Sequence, residues 1–279
     1  MPDSRRYTEV DVFGRTPLSG NPVAVVVDGS GLDDVTMQQF ASWTNLSETT
    51  FLLPPTDPAA DYRVRIFTPG GELPFAGHPT LGTAHAWLES GGVPAREGVV
   101  VQECGIGLVT LRRDEHGLAF EAPGFVRSGP VDEETLAEAS VALGIERSAI
   151  VSSQWVDNGP GWFAVELPSV DELLAVEPNL AGFGEHGIGA FAHYLEEDER
   201  LIEVRAFIPQ IGVVEDPVTG SLNAGLARWL VESGRVSESY LAGQGHALGR
   251  DGLVRVTLDE GRIWVGGQTQ TLVTGALAL

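Results

Sequence analysis

Apolar positions along the 279-residue chain fall into short alternating or β-branched runs, separated by Gly- and Pro-rich turns. Residues 7–13 alternate as a strand does, and Gly20-Asn21-Pro22 turns into the buried-strand run 23–27. Asp33 or Asp34 caps a helix over 33–43, with Met37, Phe40, Ala41 and Trp43 on or near one face. The turn at 45–50, which contains Ser47 and Glu48, leads into strand 51–53, and residues 62–67 form the next strand. Residues 99–101, 108–111 and 118–121 are three more. Two helices break this pattern. The helices opened by Gly77-His78 and by Gly220-Ser221 are small or apolar on nearly every side, as helices are when buried all round.

Both are led in by a carboxylate and a proline: Glu72-Leu73-Pro74 before the first, Glu215-Asp216-Pro217 before the second. A buried helix start leaves backbone N–H groups unpaired and presents partial positive charge. Two such starts facing one cavity would suit a small carboxylate or enolate.

The two stretches belong to a longer repeat. Arg65-Ile66-Phe67-Thr68-Pro69 recurs as Arg205-Ala206-Phe207-Ile208-Pro209. With Gly77-His78 set on Gly220-Ser221, Gly82 meets Gly225, Ala84 meets Ala227, and Glu89-Ser90-Gly91 meets Glu232-Ser233-Gly234. The helix near 33–43 has a counterpart near 169–176, and the strands at 99–121 resemble those at 247–265. This reads as an ancient duplication with halves at 1–118 and 119–279, the last strand of the chain being free to return to the first half. The expected class is α+β, each half a sheet wrapped on its own helix and the ligand site in the crevice between halves.

Composition narrows the function. Apolar content of 43% supports a packed core, and a formal charge of −22 disfavours nucleic acid and anionic membranes as partners. The single cysteine, Cys104, excludes an internal disulfide or a CxxC site and reads as a small buried filler. No secretory signal and no apolar run of spanning length is visible, so a cytoplasmic protein is expected. Nucleotide-binding glycine motifs and the serine-hydrolase elbow are missing. His85, His116, His186, His193 and His246 form no metal-spaced cluster, so neither cofactor nor metal is expected, and His85 reads as a satisfied core residue.

Chemistry should lie where the halves differ. His78 occupies the slot of Ser221, Asp216 stands in the second lead-in, and the region around Gly187 that matches Glu48 has no evident catalytic acid. A carboxylate, an imidazole and a hydroxyl beside helix dipoles suit proton transfer next to an acidic or carbonyl-bearing substrate. Each residue also has a plainer reading. Glu48 would be a solvated turn acid, His78 a helix-start residue bonded to backbone, Asp216 a turn acid worth about 0.3–1 kcal/mol, and Ser221 a cap worth about 1 kcal/mol.

The motifs Asp11-Val12-Phe13, Gly20-Asn21-Pro22, Asn45-Leu46-Ser47-Glu48-Thr49-Thr50-Phe51, Arg65–Pro69, Glu72–Pro79, Asn158-Gly159-Pro160, Glu215–Ser221 and Gln244-Gly245 resemble the PhzF-like family of phenazine-biosynthesis isomerases, which share the diaminopimelate epimerase fold. The resemblance implies two pseudo-symmetric domains, each a mostly antiparallel barrel-like sheet around a central helix. It also implies a homodimer and cofactor-free acid–base isomerisation of a small, cyclic carboxylate such as trans-2,3-dihydro-3-hydroxyanthranilate. The residue matching Glu48 would move the proton from C3 to C1, with His78, Asp216 and Ser221 assisting. Asn21, Ser47, Gly77, Gly220 and Asn223 would form the substrate-binding surroundings. Gly249-Arg250-Asp251-Gly252 departs from the family's usual turn, and Asn223 would contact substrate or bond a neighbouring loop. Racemases of this fold use a cysteine pair at the helix starts; His78 and Ser221 fill or adjoin those places and Cys104 is elsewhere, which excludes thiol-based racemisation. A lyase, a tautomerase, or a non-catalytic small-molecule-binding or adaptor protein that keeps the cleft is compatible with the same residues.

Overall fold

The computed structural model describes residues 4–195 and 197–279. Its elements, in chain order, begin with β1 (Ser4–Val12), β2 (Asn21–Val26), α1 (Asp34–Thr44), β3 (Glu48–Leu53), β4 (Tyr62–Thr68), β5 (Gly71–Leu73) and α2 (Gly77–Glu89). Next come β6 (Val99–Cys104), β7 (Gly107–Asp114), β8 (Gly117–Glu121), β9 (Arg127–Gly129), α3 (Glu133–Leu143), β10 (Ser152–Asp157), β11 (Trp162–Glu166), α4 (Val170–Leu174) and β12 (Gly187–His193). The remainder is β13 (Ile202–Ile208), β14 (Val213–Asp216), α5 (Gly220–Glu232), β15 (Tyr240–Gln244), β16 (Gly252–Asp259), β17 (Arg262–Gly267) and β18 (Thr269–Ala278). The chain divides into unit 1, residues 1–121 with 266–279, and unit 2, residues 122–265.

Within unit 1 the strands pair in the order β18–β1–β2–β3–β4–β6–β7–β8, with β5 hairpinned onto β4. Only β2–β3 and β4–β6 are parallel in that series. Parallel neighbours need a crossover rather than a hairpin, and α1 and α2 lie in those two connections. Unit 2 repeats the plan as β9–β10–β11–β12–β13–β15–β16, with β14 on β13. Its parallel pairs, β11–β12 and β13–β15, are crossed by α4 and by α5. The place that β18 takes beside β1 is taken beside β10 by β9.

The central helices pack on strands from several sides: α2 against β1, β2, β3 and β8, and α5 against β10, β11 and β16. Close approach explains the matched glycines. A Cβ on Gly82 would stand 2.3 Å from Val23 Cγ1, and one on Gly225 would stand 2.4 Å from the Val156 carbonyl oxygen. A second apolar layer lies under α1, where Val26, Met37, Phe40, Ala41, Phe51 and Phe67 cluster. Its counterpart in unit 2 joins Leu136, Ala139 and Leu143 of α3 and Leu173 of α4 to β10–β13. Strands sandwiched between two such layers are buried on both faces, which is why β12 is buried along all but its last residue and β13 along its whole length, Glu203 and Arg205 included.

A matched arginine fork fixes the lead-in of each central helix. Arg65 of β4 holds Glu72 bidentately at 2.7 and 2.6 Å and reaches Asp34, in the first turn of α1, at 2.6 Å. Arg205 of β13 holds Glu215 at 2.9 and 2.8 Å and donates to the Leu173 and Val176 carbonyls, at the end of α4. Glu72 and Glu215 are therefore structural partners of arginine.

Four expectations change. Glu48 is the first residue of β3 and not a turn residue, because the Val23↔Glu48 pairing draws it into the parallel ladder. Trp43 is 80% exposed, stacked on Phe40 from the outside. His85 is satisfied but not in the core; it is 19% exposed and bonded to Thr269 and Thr271 of β18. Cys104 is only partly buried.

Arg205 and Glu215 are 4% and 7% exposed, whereas Arg65 is 24% exposed. Arg205→Met leaves a buried carboxylate uncompensated and is expected to cost about 3–5 kcal/mol. Arg65→Met is expected to cost about 1 kcal/mol or less. Urea unfolding of the two variants checks the contrast.

Candidate active site

In unit 1 the site is built from the chain entering β3 and the chain entering α2. Asn45 ends α1 in the left-handed conformation (φ 57°), with its N–H bonded to the Ala41 carbonyl, a cap that asparagine tolerates. Three residues later the chain enters β3 with Glu48, which is 6% exposed, while Ser47 beside it is only partly buried. Thr44 and Thr49, 2.9 Å apart through their hydroxyls, tie the end of α1 to the strand.

Gly77 and His78 open α2, whose first intrahelical bond runs from Thr80 N–H to the Ala76 carbonyl at 3.2 Å. Ala76 at the N-cap supplies no side-chain bond, and Pro79 has no N–H to satisfy. The buried start therefore keeps the unpaired, electropositive character expected of it. Asn21 is brought there by the loop after β1: Asp11 accepts the Gly20 N–H at 3.1 Å. A Cβ on Gly20 would lie 2.2 Å from the Val12 carbonyl oxygen, so glycine is needed before Asn21.

His78 is 2% exposed, with Nδ1 3.2 Å from Asn21 Nδ2 and Nε2 3.4 Å from Glu48 Oε2. Burial pushes its pKa down to about 3, and a hydrogen bond with the Pro22 backbone opposes that shift without overcoming it. The contact therefore joins a neutral imidazole to a buried carboxyl group. A carboxyl oxygen and an imidazole nitrogen are also donor types that divalent metals accept.

In unit 2 the equivalent helix start carries different groups. Thr219, the N-cap of α5, again gives no side-chain cap, and its hydroxyl donates to Asp216 Oδ2 at 2.6 Å. Ser221 is 4% exposed; Trp162 Nε1 donates to its Oγ at 3.1 Å, leaving the hydroxyl's own proton to be given elsewhere. Asn158 donates to the Ser221 carbonyl at 2.8 Å, and its buried Oδ1 has no hydrogen-bond partner among the described residues. Asn223 is completely buried, and its Oδ1 has no hydrogen-bond partner among the described residues. Its Nδ2 donates to the Thr219 carbonyl at 3.0 Å and to Gln244 at 2.9 Å.

Unit 1 thus brings Asn21, Glu48, Gly77 and His78 together, and unit 2 gathers Asp216, Gly220, Ser221 and Asn223. Thr219, Trp162, Asn158 and Gln244 were missed as site residues. Thr219, Asn158 and Gln244 lie in motifs that carry the family resemblance, which is the signal that could have found them.

A family model described as phenazine biosynthesis-like protein matches residues 10–278. The chain is 37% identical to a trans-2,3-dihydro-3-hydroxyanthranilate isomerase of Pseudomonas fluorescens, over 82% of this chain and 81% of the relative. It is 35% identical to the protein named antisense-enhancing sequence 1 of Schizosaccharomyces pombe, over 96% and 97%. The solved structure of a PhzF-family phenazine biosynthesis protein from Enterococcus faecalis superposes with a TM-score of 0.80 at 25% identity, covering 99% of this chain and 100% of that one.

The depressed pKa of His78 makes a stability prediction. The unfolded chain binds a proton at this side chain below about pH 6.5, and the folded chain does not until about pH 3. Its contribution is fully present above the unfolded value and is lost as pH falls through that window, by about 1.4 kcal/mol per unit. Unfolding free energies of the unaltered chain and of His78→Gln should converge in slope only above about pH 6.5.

Proposed function

Because the chain belongs to the phenazine biosynthesis-like family and is an isomerase, we propose that it shifts a proton within a small, cyclic carboxylate with Glu48 as the acid–base group. The observation that carries this reading is the buried contact of Glu48 with neutral His78 at the uncapped start of α2. Glu48 takes a proton from a carbon beside the developing enolate and returns it to another carbon of the same conjugated system. The electron pair of the broken C–H bond moves through that system, so no external oxidant, reductant or cofactor enters the balance. His78, neutral, hydrogen-bonds the reacting region without adding a competing positive charge, and the unpaired N–H groups at Gly77 favour negative charge where it develops. Asp216 and Ser221 serve the same reaction in this reading, Ser221 as a hydrogen-bond donor because Trp162 already occupies it as an acceptor. The likeness to the Pseudomonas fluorescens enzyme makes trans-2,3-dihydro-3-hydroxyanthranilate the first compound to try.

Glu48→Gln is expected to keep ligand affinity within about threefold and to lose turnover by about 10²–10⁴-fold. Proton NMR in deuterated water, following solvent exchange into the carboxylate, reads both. Binding by the unaltered chain without any exchange would instead identify a non-catalytic binder.

A further inference from the structure

We propose that Gln244 is a positioning residue for this reaction, one that fixes where Asp216, Thr219 and Asn223 stand at the start of α5; the role in turnover rests on the isomerase reading above. Gln244 ends β15 and is completely buried. Its Oε1 accepts the Thr219 backbone N–H and Asn223 Nδ2, each at 2.9 Å. Its Nε2 donates to the Asp216 carbonyl at 3.1 Å and to Thr219 Oγ1 at 3.0 Å. Both amide protons and both carbonyl lone pairs are thereby used.

The polarity of this set is fixed by chemistry. A backbone N–H can only donate and a backbone carbonyl can only accept, so the amide cannot be flipped without setting donor against donor at Thr219 and acceptor against acceptor at Asp216. With Nε2 donating to Thr219 Oγ1, the threonine proton must point elsewhere, and it goes to Asp216 Oδ2 at 2.6 Å. One glutamine therefore sets the backbone position of Asp216, the direction of the Thr219 hydroxyl and, through it, the side-chain rotamer of Asp216. It acts only through other residues.

Comparison of the two halves shows that the clamp is specific. At the constant offset of the repeat Thr80 matches Asn223, and each is bonded by a fully buried glutamine from the strand after its helix. In unit 1 that glutamine is Gln102 of β6, which spends its amide on Thr80 at 2.9 Å and on the Tyr62 hydroxyl at 3.0 Å. Only in unit 2 is the amide turned on the lead-in, and that is the lead-in carrying Asp216.

The test uses the full chain with trans-2,3-dihydro-3-hydroxyanthranilate as probe, and reads kcat, KM and hydrogen exchange of the Thr219 amide. Gln244→Met removes all four bonds; kcat should fall about 10²-fold with KM within about threefold, and the Thr219 amide should exchange faster by a similar factor. Gln244→Glu keeps the two accepted bonds and loses the two donated ones. It should leave Thr219 amide exchange within about threefold while kcat falls at least about tenfold, because the threonine proton is drawn away from Asp216. A purely structural role would lower thermal stability and leave kcat per folded molecule unchanged in the glutamate variant, which overturns the proposal. Should Gln244→Met not fold, the glutamate variant decides alone. Should the unaltered chain not turn over this probe, the isomerase reading fails separately. The clamp is then decided by the Thr219 amide in Gln244→Met: faster exchange upholds it and unchanged exchange overturns it.

Discussion

The start of a helix that is buried on nearly every side is the constraint from which the candidate site follows. Backbone N–H groups there cannot reach water, and neither N-cap residue covers them with a side chain. In unit 1 the surrounding positions are filled by His78 and Glu48, polar groups that burial would expel unless they had partners. Burial in turn keeps the imidazole neutral, and a neutral imidazole beside a carboxyl group is a proton-handling pair instead of a salt bridge.

Duplication explains how one backbone plan yields two kinds of helix start. Strand order, the positions of the parallel pairs, the close-approach glycines and the arginine forks recur in both units. Against that shared frame the substitutions stand out: His78 against Ser221, Glu48 against Gly187, and Gln102 aimed at Tyr62 against Gln244 aimed at the Asp216 lead-in. Repeated groups hold the helices in place. Chemistry resides in the groups that are not repeated.

Much of this was legible in the chain itself. The two central helices, the Asp33 cap, the matched glycines and the recurring Arg-x-Phe motif are local or periodic features, and all appear in the structure. The α3 helix went unread although Asp132 before Glu133-Glu134 and Gly144 after Leu143 mark its ends. Other features depend on long-range pairing that no window of sequence contains. The burial of Glu48 comes from its register with Val23, and the partners of His85 come from β18, the last strand. Trp43 follows its helical period only loosely and ends outside the core. The bonds of Gln244 span 21 to 28 residues, so its motif was recognisable while its role was not.

The most direct measurement is nitrogen NMR of the His78 ring in the full chain. The account predicts a neutral imidazole from about pH 5 to about pH 8, with no titration step in that window. An imidazolium signal that titrates near about pH 6.5 would mean that the ring is solvated or paired as a cation, and would contradict a neutral histidine sealed against Glu48.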